Sequence, residues 1–281
     1  MLKRTLTVVS LKELPKGWQD DFPFEYLSVK PNRRLLIGEK DFDESGHQLR
    51  TSDGWVDQIA EAKRLVPKGV EVHAWEWFGA KNVAEGKAWG QKHGKLAAKH
   101  NLKRFKVDAE AEWSGGDGFP ETYEPYATLF EAVVQFYLFA PENCELVFNG
   151  FSWSRSSFGH KLYDADLLRS FTGGRLVMTH GTNRVGLLKT AREKLSSWPG
   201  VTVIMQMGVG RRDKSGAIWG FWDVYKAVLR DYEKLTGRPL AEVDWYLGNG
   251  AGNRYFNDSP DYPALVKCAR ELAPDRSVST V

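Results

Sequence analysis

From about residue 70 onward, short β-branched or apolar runs alternate with longer stretches whose apolar positions recur at helical spacing. The runs predict strands over Val70–Trp75, Arg104–Asp108, Glu145–Asn149, Arg175–Thr179, Val201–Met205 and Val243–Leu247. The longer stretches predict helices over Ala84–His100, Tyr123–Phe139, Asp164–Phe171, Val185–Ser197, Gly220–Leu235 and Tyr262–Leu272. Strand and helix therefore alternate as βα units, the pattern that builds a parallel sheet with crossover helices.

The first seventy residues must supply the remaining strands. Thr7–Leu11, Glu25–Val29 and Leu35–Gly38 are the candidates, and Asp41–Gly46 reads as a polar turn. Trp55–Val66 is an amphipathic helix pattern with Ser52 or Asp53 as its N-cap. Two strands from this region close the count at eight. The expected fold class is α/β, a (β/α)8 barrel forming a single domain over residues 1–281, with a frayed tail from Asp275. A chain of 281 residues suits that fold, which takes about 250. No Pro/Gly/Ser-rich linker divides it. A doubly wound open sheet is the alternative, and it would carry a Gly-rich phosphate loop after an early strand. None is present.

In a parallel barrel the chemistry gathers where the strands end. The ends here are polar and aromatic: His73, Trp75 and Trp77, then Asp108, Glu110, Glu112 and Trp113, then Asn149, His180, Gln206 and Tyr246. Asp108-Ala109-Glu110-Ala111-Glu112 carries the sharpest signal. Alternation along a strand puts the three acids on one face and the small alanines on the other. Converging carboxylates repel, so one of them should hold its proton near neutral pH. A protonated acid beside an ionised one is what cleavage of a glycosidic bond uses. Same-face neighbours on a strand lie about 7 Å apart, which does not choose between retaining and inverting geometry. The plain alternative is that these acids pair with surface Lys or Arg.

Composition narrows the field further. Eleven Trp, ten Tyr and fifteen Phe exceed what a core of this size needs, and Trp or Tyr lining a groove can support sugar rings. A net charge of +3 from 39 basic and 36 acidic residues is too balanced to argue for nucleic acid. Arg33-Arg34 and Arg211-Arg212 read as solvated faces. No apolar run reaches the length of a membrane span. Leu6–Val9 is cut short by Lys12 and Glu13 before it resembles a signal peptide, so a cytoplasmic or virion- and lysis-associated location is expected. Cys144 and Cys268 form no CxxC pair. Ser114-Gly115-Gly116-Asp117-Gly118 lacks the Lys-Ser/Thr ending of a phosphate loop, and no GxSxG elbow occurs. His73 and His180 have no partner at metal-ligand spacing, so neither a metal nor a cofactor is expected, although inward acids could hold a divalent cation through oxygen.

Around Val107-Asp108-Ala109-Glu110 the chain resembles the barrel glycoside hydrolases of family 25, the muramidases. It also resembles a looser group of phage and bacterial barrel proteins of glycosidase type with an Asp-Ala-Glu strand end. The resemblance implies Glu110 as general acid and Asp108 as the carboxylate beside it, with Gln206 as a polar strand-end residue. Those muramidases place a further Asp in the first strand, and Tyr26-Leu27-Ser28-Val29 has none. The expected activity is hydrolysis of a polysaccharide such as peptidoglycan, with Glu112 as a second candidate carboxylate. Trp75, Trp77, Trp113 and Tyr246 would meet sugar rings, and His73, Asn149, His180 and Gln206 would bind substrate. Two alternatives stand beside it: a non-catalytic barrel that binds carbohydrate or protein, such as a tail-associated phage protein, and a metal-dependent hydrolase or isomerase using the same acids.

Overall fold

Eight strands follow one another in the closed order β1 (Lys3–Val8), β10 (Glu242–Leu247), β9 (Thr202–Gly208), β8 (Arg175–Met178), β7 (Glu145–Gly150), β6 (Arg104–Asp108), β5 (Glu71–Trp77) and β2 (Tyr26–Val29). This is the strand order of a (β/α)8 barrel. Two short strands, β3 (Asn32–Arg34) and β4 (Trp55–Asp57), pair antiparallel outside it. The computed structural model describes residues 2–34, 55–108, 125–150, 175–178, 202–208, 230–234, 237, 239–247 and 262–271. By packing, the chain divides into two compact units. One comprises Met1–Ala74, Gly208–Val224 and Glu242–Val281, and the other Trp75–Met207 and Tyr225–Ala241.

In the first unit β1 pairs in parallel with both β10 and β2, and β2 pairs with β5. Arg4, Leu6 and Val8 share the side of β1 that meets a helix. The Arg4 guanidinium donates to the carbonyl of Ala269 (2.7 Å) in α4 (Tyr262–Glu271) and holds the Glu25 carboxylate. On the same side of the sheet Trp245 is fully buried, its ring edge-on to Phe24 at 5.5 Å. Thr5 and Thr7 point the opposite way. The fully buried Gln58, first residue of α1 (Gln58–Leu65), ties the loops that follow β1 and β2. Its Nε2 donates to the carbonyls of Val9 and Lys30 (3.0 and 3.1 Å), and its Oε1 accepts from the Leu11 amide at 3.0 Å.

In the second unit the order is β6, β7, β8, β9, all parallel. Phe105 faces the helices. Its ring lies within 6 Å of Trp89 and His93 in α2 (Val83–Lys99) and of Phe136 in α3 (Pro125–Phe139). Gly86, Gly90 and Gly94 recur at every fourth position of α2, so they form one stripe. Added Cβ atoms there would come within 2.3, 2.1 and 2.4 Å of the carbonyl oxygens of Thr128, Ala132 and Phe136. The two helices can approach this closely only because the stripe has no side chains.

Three expectations shift, one of them at Arg33, which is no solvated face but is buried and pairs with the Glu61 carboxylate at 3.4 Å. The first strand is Lys3–Val8, not Thr7–Leu11, because Leu11 opens a 3-10 turn capped by Ser10. The helix expected from Trp55 begins at Gln58 and is capped by Asp57, whose carboxylate accepts from the Ala60 amide. Trp55–Asp57 is instead drawn into pairing with Asn32–Arg34. Leu35–Gly38, Asp41–Gly46, Ser52, Asp53, the helices expected over Asp164–Phe171 and Val185–Ser197, and the tail from Asp275 lie outside the described residues, as does the Gly220–Leu235 helix except for residues 230–234. No described helix is long and apolar enough to cross a membrane.

Gly90→Ala should destabilise the protein by about 1–3 kcal/mol, since its clash is with backbone and outweighs the ~1 kcal/mol gained in helix propensity. The midpoint of urea unfolding measures it. A second expectation concerns acid. Burial raises the Glu25 carboxyl, but the hydrogen bonds and charge of Arg4 outweigh it and hold the pKa below the ordinary 4.5. A depressed pKa contributes stability above pH 4.5 that is lost as pH falls through the folded-state value. Glu25→Gln should therefore cost stability at neutral pH, and its deficit against the wild type should shrink below pH 4.5 in urea titrations run at both pH values.

Candidate functional site

In the second unit, Asp108 closes β6. Phe105 and Val107 are buried on the helix-facing side, so alternation turns Lys106 and Asp108 to the opposite face. Lys106 is almost completely buried, and Asp108 above it is half-buried. The register sets Asp108 beside Asn149, Asn149 beside Val177 and Val177 beside Ile204. Gln206 lies one step further along β9 on the same face. The sequence-predicted residues Asp108, Asn149 and Gln206 thus stand near the C-terminal ends of β6, β7 and β9.

The end of β5 is tied to this strand end. The Phe78 amide donates to the Asp108 carbonyl at 2.8 Å. Trp75 is 5% exposed and Trp77 is 44% exposed, so only the latter presents a broad ring surface. Phe78 turns towards α2, where its ring meets Trp89 edge-on at 5.1 Å. The Trp89 indole N–H in turn donates to the Trp77 carbonyl at 3.1 Å.

In the first unit, the face opposite the helices is polar. One register row holds Tyr246, Thr7, Ser28 and His73, and the row one step below holds Asp244, Thr5, Tyr26 and Glu71. Asp244 is fully buried and accepts from the Thr7 hydroxyl at 2.7 Å; Glu242 accepts from Thr5 at 2.6 Å. His73 Nε2 lies 2.7 Å from a Glu71 carboxylate oxygen, and its ring lies on Tyr26 with centroids 4.7 Å apart. Ser28 Oγ is buried with no hydrogen-bond partner among the described residues. Thr7, Ser28 and Asp244 were not among the sequence candidates. The signal for them was there in the alternation Thr5-x-Thr7 and Glu242-x-Asp244-x-Tyr246, once those strands are known to carry polar residues on the face away from the helices.

Glu110, Glu112, Trp113 and His180 lie outside the described residues. Among the described residues no group of three or more His, Cys, Asp and Glu is arranged to hold a metal ion. Two other groups are set by burial. His93, inside the aromatic cluster of α2, is lowered to about 4 by burial, and its Nδ1 lies 2.8 Å from the Trp89 carbonyl. The Cys144 thiol is raised to about 12 by burial and the nearby Glu145, so at neutral pH it is no thiolate nucleophile.

Strand order defines a (β/α)8 barrel. No protein-family model matches the chain, and no curated protein matches it by sequence. Among solved structures it is similar to a GH18 chitinase from Pseudoalteromonas aurantia, at 12% identity and a TM-score of 0.59 over 95% of this chain and 100% of that one. It is similar to a GH113 beta-1,4-mannanase, at 11% identity and a TM-score of 0.56 over 97% and 100% of the two chains. A chitinase from Bacteroides thetaiotaomicron aligns over 100% of both chains, at 9% identity and a TM-score of 0.57. At such identities the likeness establishes the barrel fold. The muramidase likeness is not among these matches and rests on Val107-Asp108-Ala109-Glu110 and, more loosely, Gln206.

Thr7→Val removes a hydroxyl donor from a fully buried carboxylate at nearly constant volume. It should cost about 1–3 kcal/mol, read as a lower urea midpoint. An unchanged midpoint would mean that the Thr7–Asp244 bond contributes nothing net.

Proposed function

We propose that this chain is a glycoside hydrolase that cleaves a polysaccharide by carboxylate catalysis. The observation that carries the reading is the position of Asp108, half-buried at the C-terminal end of β6 on the face turned from the helices, with Glu110 two residues further along the chain. Glu110 is the general acid, protonating the oxygen of the departing sugar. Asp108 steadies the positive charge that develops on the ring, or positions water, and Glu112 is the second candidate carboxylate. Trp77, Trp113 and Tyr246 meet sugar rings, Trp75 being too buried to do so, while His73, Asn149, His180 and Gln206 bind hydroxyls. The similar solved structures described as chitinases and a mannanase support a polysaccharide as the substrate class, and peptidoglycan is the specific candidate that the muramidase resemblance suggests.

The test is release of reducing ends from chitin, mannan, xylan and peptidoglycan. Glu110→Gln should lower the rate by about 10²–10⁴-fold, the range a general acid supplies. Equal release by wild type and variant would exclude Glu110 as the acid. No release from any glycan by the wild type would favour a barrel that binds without cleaving.

A further inference from the structure

Trp77 is the described aromatic at a strand end that combines a large exposed surface with a fixed backbone. Its carbonyl is held by the Trp89 indole, its amide donates to the Glu76 carboxylate at 3.0 Å, and the next residue is bonded to the backbone of Asp108. The short segment that follows is anchored as well. Asn82 caps α2 by accepting from the Glu85 amide at 2.9 Å, and the Glu85 carboxylate accepts in return from the Lys81 amide at 2.8 Å. Reciprocal bonds of this kind hold a helix entry in one conformation. The chain between β5 and α2 is therefore tethered at both ends.

Within that segment, Gly79 returns to the side of the chain that carries the Trp77 ring. A Cβ on Gly79 would lie 1.9 Å from Trp77 Cζ3, 2.1 Å from Cη2 and 2.7 Å from Cε3. The six-membered ring of the indole thus lies against Gly79, in space that any other residue's side chain would fill. The ring is packed against the glycine, while 44% of the residue stays open to solvent. Leaving so much indole in water has a cost in apolar exposure, and nothing in the fold of β5 requires it, since Phe78 and Trp75 supply the buried contacts there.

We propose that Trp77 is a preformed platform for one pyranose ring of the substrate, and that Gly79 is the positioning residue whose missing side chain leaves the indole its place. This rests on the reading of the chain as a polysaccharide-cleaving barrel. A pyranose presents an axial C–H face that is apolar and about as broad as an indole, and an immobile ring binds it without a further loss of side-chain freedom. Through the Phe78–Asp108 backbone bond, the platform is fixed relative to the end of β6, where Asp108 stands.

The experiment is isothermal titration of the full chain with chitohexaose, mannohexaose and xylohexaose, in the Glu110→Gln background so that nothing is consumed. Trp77→Ala and Gly79→Ala should each weaken binding of the hexasaccharide that the parent takes by about tenfold, with melting temperatures near the parent's. The double variant Trp77→Ala/Gly79→Ala should bind no more weakly than Trp77→Ala alone, because Gly79 acts only through the ring. Additive losses, or affinity for Gly79→Ala within twofold of the parent, would overturn the positioning role. Failure of the parent to bind any of the three sugars would overturn the platform. If Gly79→Ala does not fold, full affinity in Trp77→Ala still refutes the platform, and a tenfold loss supports it. Binding by the parent without reducing-end release by the wild type would instead sink the hydrolase reading and leave the platform standing.

Discussion

The alternation of side chains along each strand is the constraint from which the other features follow. A strand in this fold has one side against helices and one side turned away from them, and successive residues must serve the two in turn. In β1 the helix side takes Leu6 and Val8, and Arg4 is admitted there only because its guanidinium finds a carbonyl of α4 and the Glu25 carboxylate. In β6 the helix side takes Phe105 and Val107. The opposite positions, Thr5 and Thr7, Lys106 and Asp108, are then polar by elimination, and some are buried all the same.

Burying those groups is expensive unless each finds a partner. The first unit meets the requirement locally: a threonine on β1 serves each acid of β10, and Glu71 serves His73 on its own strand. Ser28 is one exception in that row, a buried hydroxyl with no hydrogen-bond partner among the described residues. The helix layer solves a different problem. Its glycine stripe lets α2 and α3 meet backbone to backbone, and the aromatic cluster around Phe105 fills the space between that pair and the sheet. Trp89 links the two demands, since its ring packs on Phe78 and Phe105 while its N–H fixes the strand end at Trp77.

The βα repeat was legible in the chain because buried parallel strands are short, apolar and spaced by amphipathic helices. All six strands expected beyond residue 70 are present, within three residues at either end. The first seventy residues were harder. Lys3-Arg4-Thr5-Leu6-Thr7-Val8 carries four polar residues, so its apolar side is easy to miss; Arg4 is buried by partners remote in sequence, at Glu25 and Ala269. Trp55-Val56-Asp57 continues the helical pattern that follows it, yet a strand partner over twenty residues earlier claims it. Local pattern cannot see either competitor.

For the site, the chain alone determined which residues stand at strand ends and which of them share a face with Asp108, because period two is a local property of an extended backbone. It could not decide exposure, and exposure separates Trp75 from Trp77, two residues with the same pattern and the same chemistry. That difference comes from where the strand stops, from the Trp89 N–H that holds it there, and from the empty position at Gly79 on which the second indole lies. Nor could it reveal that Thr7, Ser28, His73 and Tyr246 form one row, since that depends on the register between strands far apart in sequence. Register and burial are properties of the packed chain, set by what each strand meets across the sheet.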